Sequence, residues 1–95
     1  MTLLDLAEHF GEDVGAGRIL IRQKFSQSDL AAMAGIAREN VNRILADWKR
    51  RKLVSRISGY YCIESKSAIE HEAYGGQEPL ESVKLAGTLA ARTKQ

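Results

Sequence analysis

At 95 residues, 44% hydrophobic and 27% charged, the chain has room for one small domain with one core, and its single Cys62 excludes an intrachain disulfide or a cysteine-rich metal cluster. The net charge of +2 hides a strong asymmetry: residues 1–17 hold four acids and no Lys or Arg, whereas residues 18–56 hold ten Lys or Arg against three acids, a local balance of +7. A basic central band is what neutralising phosphates requires. No apolar run approaches a membrane span and no basic-then-apolar signal segment opens the chain, so a soluble, cytoplasmic protein without a membrane partner is expected.

In chain order, Leu3, Leu4, Leu6, Ala7 and Phe10 predict an amphipathic helix. Gly11, Gly15 and Gly17 then predict a loop, followed by a strand over 18–23. Ser26 is placed to cap a second helix by accepting a backbone N–H near Asp29, whose charge suits the helix N-terminus. Leu30, Met33 and Ala34 share one face of it, and Ala31 is small enough for a second helix to approach closely. Gly35 takes positive φ at no steric cost and turns the chain, while Ile36 plugs the turn into the core.

A third helix follows over 37–51. Val41, Ile44, Leu45 and Trp48 form its continuous apolar stripe, and the opposite face carries Arg38, Glu39, Asn42 and Arg43. Those groups match base edges: an arginine fork donates twice to guanine, a glutamate accepts from cytosine N4, and an asparagine pairs with adenine N6 and N7. The plain alternative is a solvated face with a Glu39–Arg43 ion pair. Lys49, Arg50, Arg51 and Lys52 splay around the helix end, so part of that run faces DNA or part merely complements the helix dipole. A helix, a glycine turn and an arginine-bearing helix in under thirty residues make a helix-turn-helix.

Beyond it, 53–57 and 60–63 read as two strands joined by a two-residue turn at Ser58 and Gly59, the wing of a winged helix. Arg56 and Ser58, with Tyr60 as a third, are candidates for phosphate backbone or an adjacent groove. Of Tyr60 and Tyr61, one is expected in the core and one on the surface. The fold class is therefore mainly α with a small β wing (α+β), a winged helix-turn-helix.

From about Leu3 to Ile63 the chain resembles the C-terminal winged-helix domain of the Crp/Fnr family of bacterial transcription regulators. The run Gly35, Ile36, Ala37, Arg38, Glu39, Asn40, Val41, Asn42, Arg43, Ile44, Leu45 resembles the family's G-[CI]-[ST]-R-E-T-V-x-R-x-L pattern, and Leu53, Val54 its Leu-Ile entry to the wing. The resemblance implies sequence-specific binding of double-stranded DNA. Arg38, Glu39 and Arg43 are then base readers, joined by Asn42, and the palindromic site has TGTGA-like half-sites. Ser26 and Ser28 match positions that touch phosphate, and Asn40, where the family often has Thr, joins Lys49, Arg56 and Ser58 in the same role. Ala37 departs from the family's Ser or Thr cap, and Asn42 stands where a small residue is common.

The resemblance also implies a fragment of a longer regulator that homodimerises, with no cofactor assigned to this stretch and a contact with RNA polymerase as a further expectation. Residues 1–73 are read as the DNA-binding domain, with 65–73 resembling the short closing helix of some family members, a surface helix being the plain alternative. Residues 74–95 are read as a tail, flexible or weakly helical, the sharper alternative being a helix on a partner subunit. His9 and His71 lack partners at ligand spacing, and no nucleophile or phosphate-loop motif is present, so neither an enzyme nor a metal site is expected. The competing function is a winged-helix module that sets its basic face on an acidic protein partner.

Overall fold

The computed structural model describes residues 2–74 and 80–87. Its elements run α1 (Leu3–Phe10), β1 (Gly11–Gly15), β2 (Arg18–Ile21), α2 (Gln27–Ala34), α3 (Arg38–Arg50), β3 (Val54–Ile57), β4 (Tyr60–Ile63), α4 (Lys66–Tyr74) and α5 (Leu80–Ala86). This is an α+β winged helix-turn-helix.

The helix-turn-helix is set by local chemistry. Ser26 Oγ accepts from the Asp29 N–H at 3.0 Å, and Asp29 Oδ2 accepts from the Ser26 N–H at 2.9 Å, a closed capping box that fixes the start of α2. Gly35 ends α2 in the left-handed region at φ +72°, and its N–H donates to the Ala31 carbonyl at 2.9 Å. α3 then lays Val41, Ile44, Leu45 and Trp48 into the core, as its periodicity requires. Trp48 Nε1 donates to Glu72 Oε1 at 3.2 Å, and Arg51 Nη2 reaches the same oxygen at 3.2 Å, so one buried carboxylate ties α3 to α4.

The four strands form an antiparallel sheet in the order β1-β2-β4-β3. Ser58 and Gly59 both have positive φ, +52° and +86°, the two-residue turn that matches strand twist and closes the wing. Tyr61 is buried and Tyr60 half-buried. Cys62, fully buried, pairs with Leu20 and Ser55 across the sheet. Arg18 Nε donates to Glu64 Oε1 at 2.7 Å and the Ser55 hydroxyl donates to Glu64 Oε2; the Arg18 bond above all, then that from Ser55, holds the Glu64 carboxyl below its usual range.

Two expectations change. The glycine-bearing stretch after α1 is a strand, not a loop: Ala16 and Gly17, at φ +58° and +77°, turn the chain back so that β1 pairs with β2 around a bulge. Gly11 permits the junction, since a Cβ there would lie 2.1 Å from the Ala7 carbonyl oxygen and 2.6 Å from Ile19 Cγ2. The expected closing helix forms as α4, and burial of Ile69, Glu72 and Ala73 disfavours the alternative of a surface helix. Finally, of the stretch expected to be a flexible or weakly helical tail, Leu80–Ala86 is a helix, α5, whose Leu85 and Ala86 are fully buried in the common core and which packs against α4 and α2. Burial of those two apolar residues offsets the cost of ordering them. The remainder of that tail, 75–79 and 88–95, lies outside the described residues.

Candidate nucleic-acid interface

With one face of α3 buried, the other points outward: Arg38, Glu39, Asn42 and Arg43 are all exposed. The side chains of Arg38 and Glu39 make no hydrogen bond or ion pair with the described residues. Arg43 does not pair with Glu39; its Nη2 donates to Asn40 Oδ1 at 2.8 Å, one turn back along the helix. That bond uses one of five guanidinium donors and leaves the rest of the fork available. Asn40 is half-buried and is therefore both a neighbour of Arg43 and a candidate for phosphate.

Ser26 and Ser28 are exposed at the N-terminus of α2. The Ser26 oxygen is occupied as a cap acceptor, while its hydroxyl hydrogen remains free to donate. Gln27, between them, reaches across to α3: its Nε2 donates to Asn42 Oδ1 at 3.4 Å. Gln27, Arg38, Glu39 and Asn42 together line a shallow depression of about 200 Å3. The predicted base readers and the α2 N-terminus thus share one surface.

The wing joins it through residues that sequence reasoning missed. Lys24 lies against the wing turn, its Cε 3.2 Å from where a Cβ on Gly59 would stand. Lys24 Nζ and Arg22 Cζ sit 5.4 Å and 5.6 Å from the Tyr60 ring centroid, a cation–π cluster. Lys24 is two residues before Ser26, so wing turn, linker, α2 N-terminus and α3 are contiguous. The available signal was two cations at alternating positions within the basic band, immediately before the cap. On the wing, Arg56 is exposed, stacks over the Tyr61 ring at 4.5 Å and donates to the Gly59 carbonyl at 3.2 Å, while Ser58 is exposed in the turn.

The basic run at the end of α3 divides. Lys49 is exposed, one heptad beyond Asn42 on the same stripe and so about 10.5 Å along the axis. Arg50 and Arg51 are instead engaged by carboxylates: Arg50 Nη2 pairs with Asp47 Oδ1, and Arg51 Nη2 with Asp47 Oδ2 at 3.0 Å and with Glu72. Burial pushes the Asp47 carboxyl up, and the Arg50 hydrogen bond with the Arg51 charge outweighs it, leaving the group below its usual range. These pairs line a groove of about 520 Å3 beside the C-terminal half of α3.

Among the described residues no three His, Cys, Asp or Glu side chains are grouped to hold a metal ion, and no helix is long and apolar enough to cross a membrane. His9 Nδ1 contacts the Asp5 carbonyl at 2.9 Å, a local helix contact.

The profile of the Crp-like helix-turn-helix domain matches residues 1–71. The CRP-like cAMP-activated global transcriptional regulator of Mycobacterium tuberculosis, in strains CDC 1551 / Oshkosh and ATCC 25618 / H37Rv, is 34% identical to the chain over 67 residues. That alignment covers 70% of this chain and 26% of the regulator, so the chain spans about a quarter of the length of the curated relatives it matches.

Proposed function

Because the chain belongs to the family of Crp-like helix-turn-helix domains, we propose that it is the sequence-reading DNA-binding part of a cytoplasmic Crp/Fnr-type transcription regulator, with α3 in the major groove and the β3–β4 wing against the flanking backbone. The observation that carries this reading is the state of Arg38 and Glu39. Both are exposed, and their side chains have no partner among the described residues, on a helix whose opposite face is locked into the core. A lone carboxylate between arginines repels phosphate, whereas one aimed at cytosine N4 has an acceptor's role. Arg38 and Arg43 take guanines, Glu39 a cytosine and Asn42 an adenine. Ser26, Ser28, Asn40, Lys49, Arg56 and Ser58 take phosphates, and Arg22 and Lys24 join them.

In a homodimeric regulator, two such domains read a palindrome with TGTGA-like half-sites about 34–36 Å apart, and a contact with RNA polymerase belongs to the same reading. The relatives are transcriptional regulators by name, which disfavours the protein-interaction alternative. Activation by cAMP is a property of those relatives and is not carried to these residues.

Fluorescence anisotropy with a palindromic TGTGA duplex and a scrambled one, at low and moderate salt, tests the proposal. The palindrome binds more tightly, and Arg38→Ala or Arg43→Ala loses that preference at a cost of about 1–3 kcal/mol per bidentate contact. Lys24→Ala and Lys49→Ala weaken binding to both duplexes and flatten the salt dependence. Equal binding of the unaltered protein to the two duplexes rejects the TGTGA-like half-site, and an unchanged preference in both arginine variants rejects the base-reading assignment.

A further inference from the structure

One contact on this surface is not explained by the periodicity of α3. Gln27, the first residue of α2, donates through Nε2 to Asn42 Oδ1 at 3.4 Å, linking the two helices on the outward face. The Gln27 backbone is itself fixed, since it lies between the two members of the Ser26–Asp29 capping box. An exposed asparagine otherwise rotates between two amide orientations that exchange its donor and acceptor. The Gln27 amide can turn over in the same way, so the contact holds the Asn42 side chain toward α2, and in the structure Oδ1 is the end that faces Gln27. At 3.4 Å the bond lies beyond the usual N–H···O range, so it acts as a weak restraint on where the Asn42 side chain lies. Asn42 then retains both Nδ2 hydrogens and one Oδ1 lone pair, the set that complements adenine N7 and N6. Arg43 does not compete, because it is held by Asn40.

We propose that Gln27 is a positioning residue for Asn42, and that this amide pair adds an adenine-reading element to the half-site, distinct from the guanines taken by the arginines. The inference rests on the DNA-reading assignment above. Gln27 touches no base in this scheme; it acts by holding the Asn42 side chain in place over the outward face.

The test is selection from duplexes with a randomised half-site, followed by sequencing, for the protein and for Gln27→Met, Asn42→Ala, their double variant and Arg38→Ala. Gln27→Met keeps side-chain volume at a half-buried position, and circular dichroism verifies that each variant folds. The unaltered protein prefers adenine roughly tenfold at one position. Asn42→Ala reduces that preference to about twofold, Gln27→Met reduces it less but at the same position, and both leave the G·C positions untouched. The double variant matches Asn42→Ala alone. Placing 7-deazaadenine there weakens binding by the unaltered protein but not by Asn42→Ala. Relaxation at two different positions, or uniform weakening on every duplex by Gln27→Met as a phosphate contact gives, overturns the proposal. If Arg38→Ala relaxes a G·C position while both amide variants change none, the amide pair falls and the DNA-reading assignment stands. No preference at any position in the unaltered protein overturns both.

Discussion

Replacing Ala37 with serine acts on the least supported end of the recognition helix. Ala37 already has the extended backbone of an N-cap, φ −70° and ψ 145°, but no side chain to accept a first-turn N–H, whereas Ser26 closes a full box at the start of α2. The substitution therefore adds an acceptor without moving the chain. Of the N–H groups within its reach, that of Asn40 already donates to the Ala37 carbonyl at 3.0 Å, so the gain comes mainly from the Glu39 N–H. That places the stabilisation at about 1 kcal/mol, below the upper end of the range for capping residues. For a chain of 95 residues, it corresponds to a rise in Tm of about 4–8 °C. Thermal unfolding followed by far-ultraviolet circular dichroism reads the shift directly. The serine hydroxyl also keeps its own hydrogen to donate to a phosphate, so affinity for all duplexes rises alike. An unchanged or lowered Tm refutes the description of the α3 N-terminus as extended and uncapped.

Gly11→Ala sets a Cβ against the Ala7 carbonyl oxygen and Ile19 and is expected to destabilise the fold by about 2–3 kcal/mol, read as a fall in the urea midpoint; a neutral result means that the α1–β1 junction is looser than described. Glu72→Ala leaves the buried Trp48 N–H without its acceptor, a loss of about 1–3 kcal/mol, with a change in tryptophan emission as its second signature; unchanged stability and emission reject the tie between α3 and α4. The Glu64 carboxyl is held below its ordinary value of 4.5, by Arg18 first and then Ser55. Its contribution is therefore complete above that value and is lost as the pH falls through the lower folded value. Glu64→Gln accordingly reduces the dependence of Tm on pH in acid, and an identical acid profile in the two proteins rejects that role.

Features carried by neighbouring residues were legible, and those carried by contacts between distant segments were not. The stripe Val41, Ile44, Leu45, Trp48 lies on one helix, and Ser26, Gly35 and the Ser58–Gly59 turn act within a few residues of themselves. β1 gave no such signal: all five of its residues are exposed, so no alternation marks it, and its pairing depends on a turn beyond it and on space at Gly11 bounded by Ala7 and Ile19. Glu72 in isolation reads as a surface acid on a weakly patterned helix; the Arg51 guanidinium and the indole N–H of Trp48, 21 and 24 residues away, make its burial tolerable. The candidate site divides in the same way. Helical periodicity suffices to put Arg38, Glu39, Asn42 and Arg43 on one face, because the buried stripe leaves them nowhere else to point. It does not choose between Glu39 and Asn40 as the partner of Arg43, since both lie within a turn and the choice is one of rotamer. Nor does it bring Lys24 to the wing turn or Gln27 to Asn42, contacts across 35 and 15 positions of chain. Those cross-contacts join the wing, the linker and both helices into one surface, so their loss changes what the surface recognises before it changes whether the domain folds.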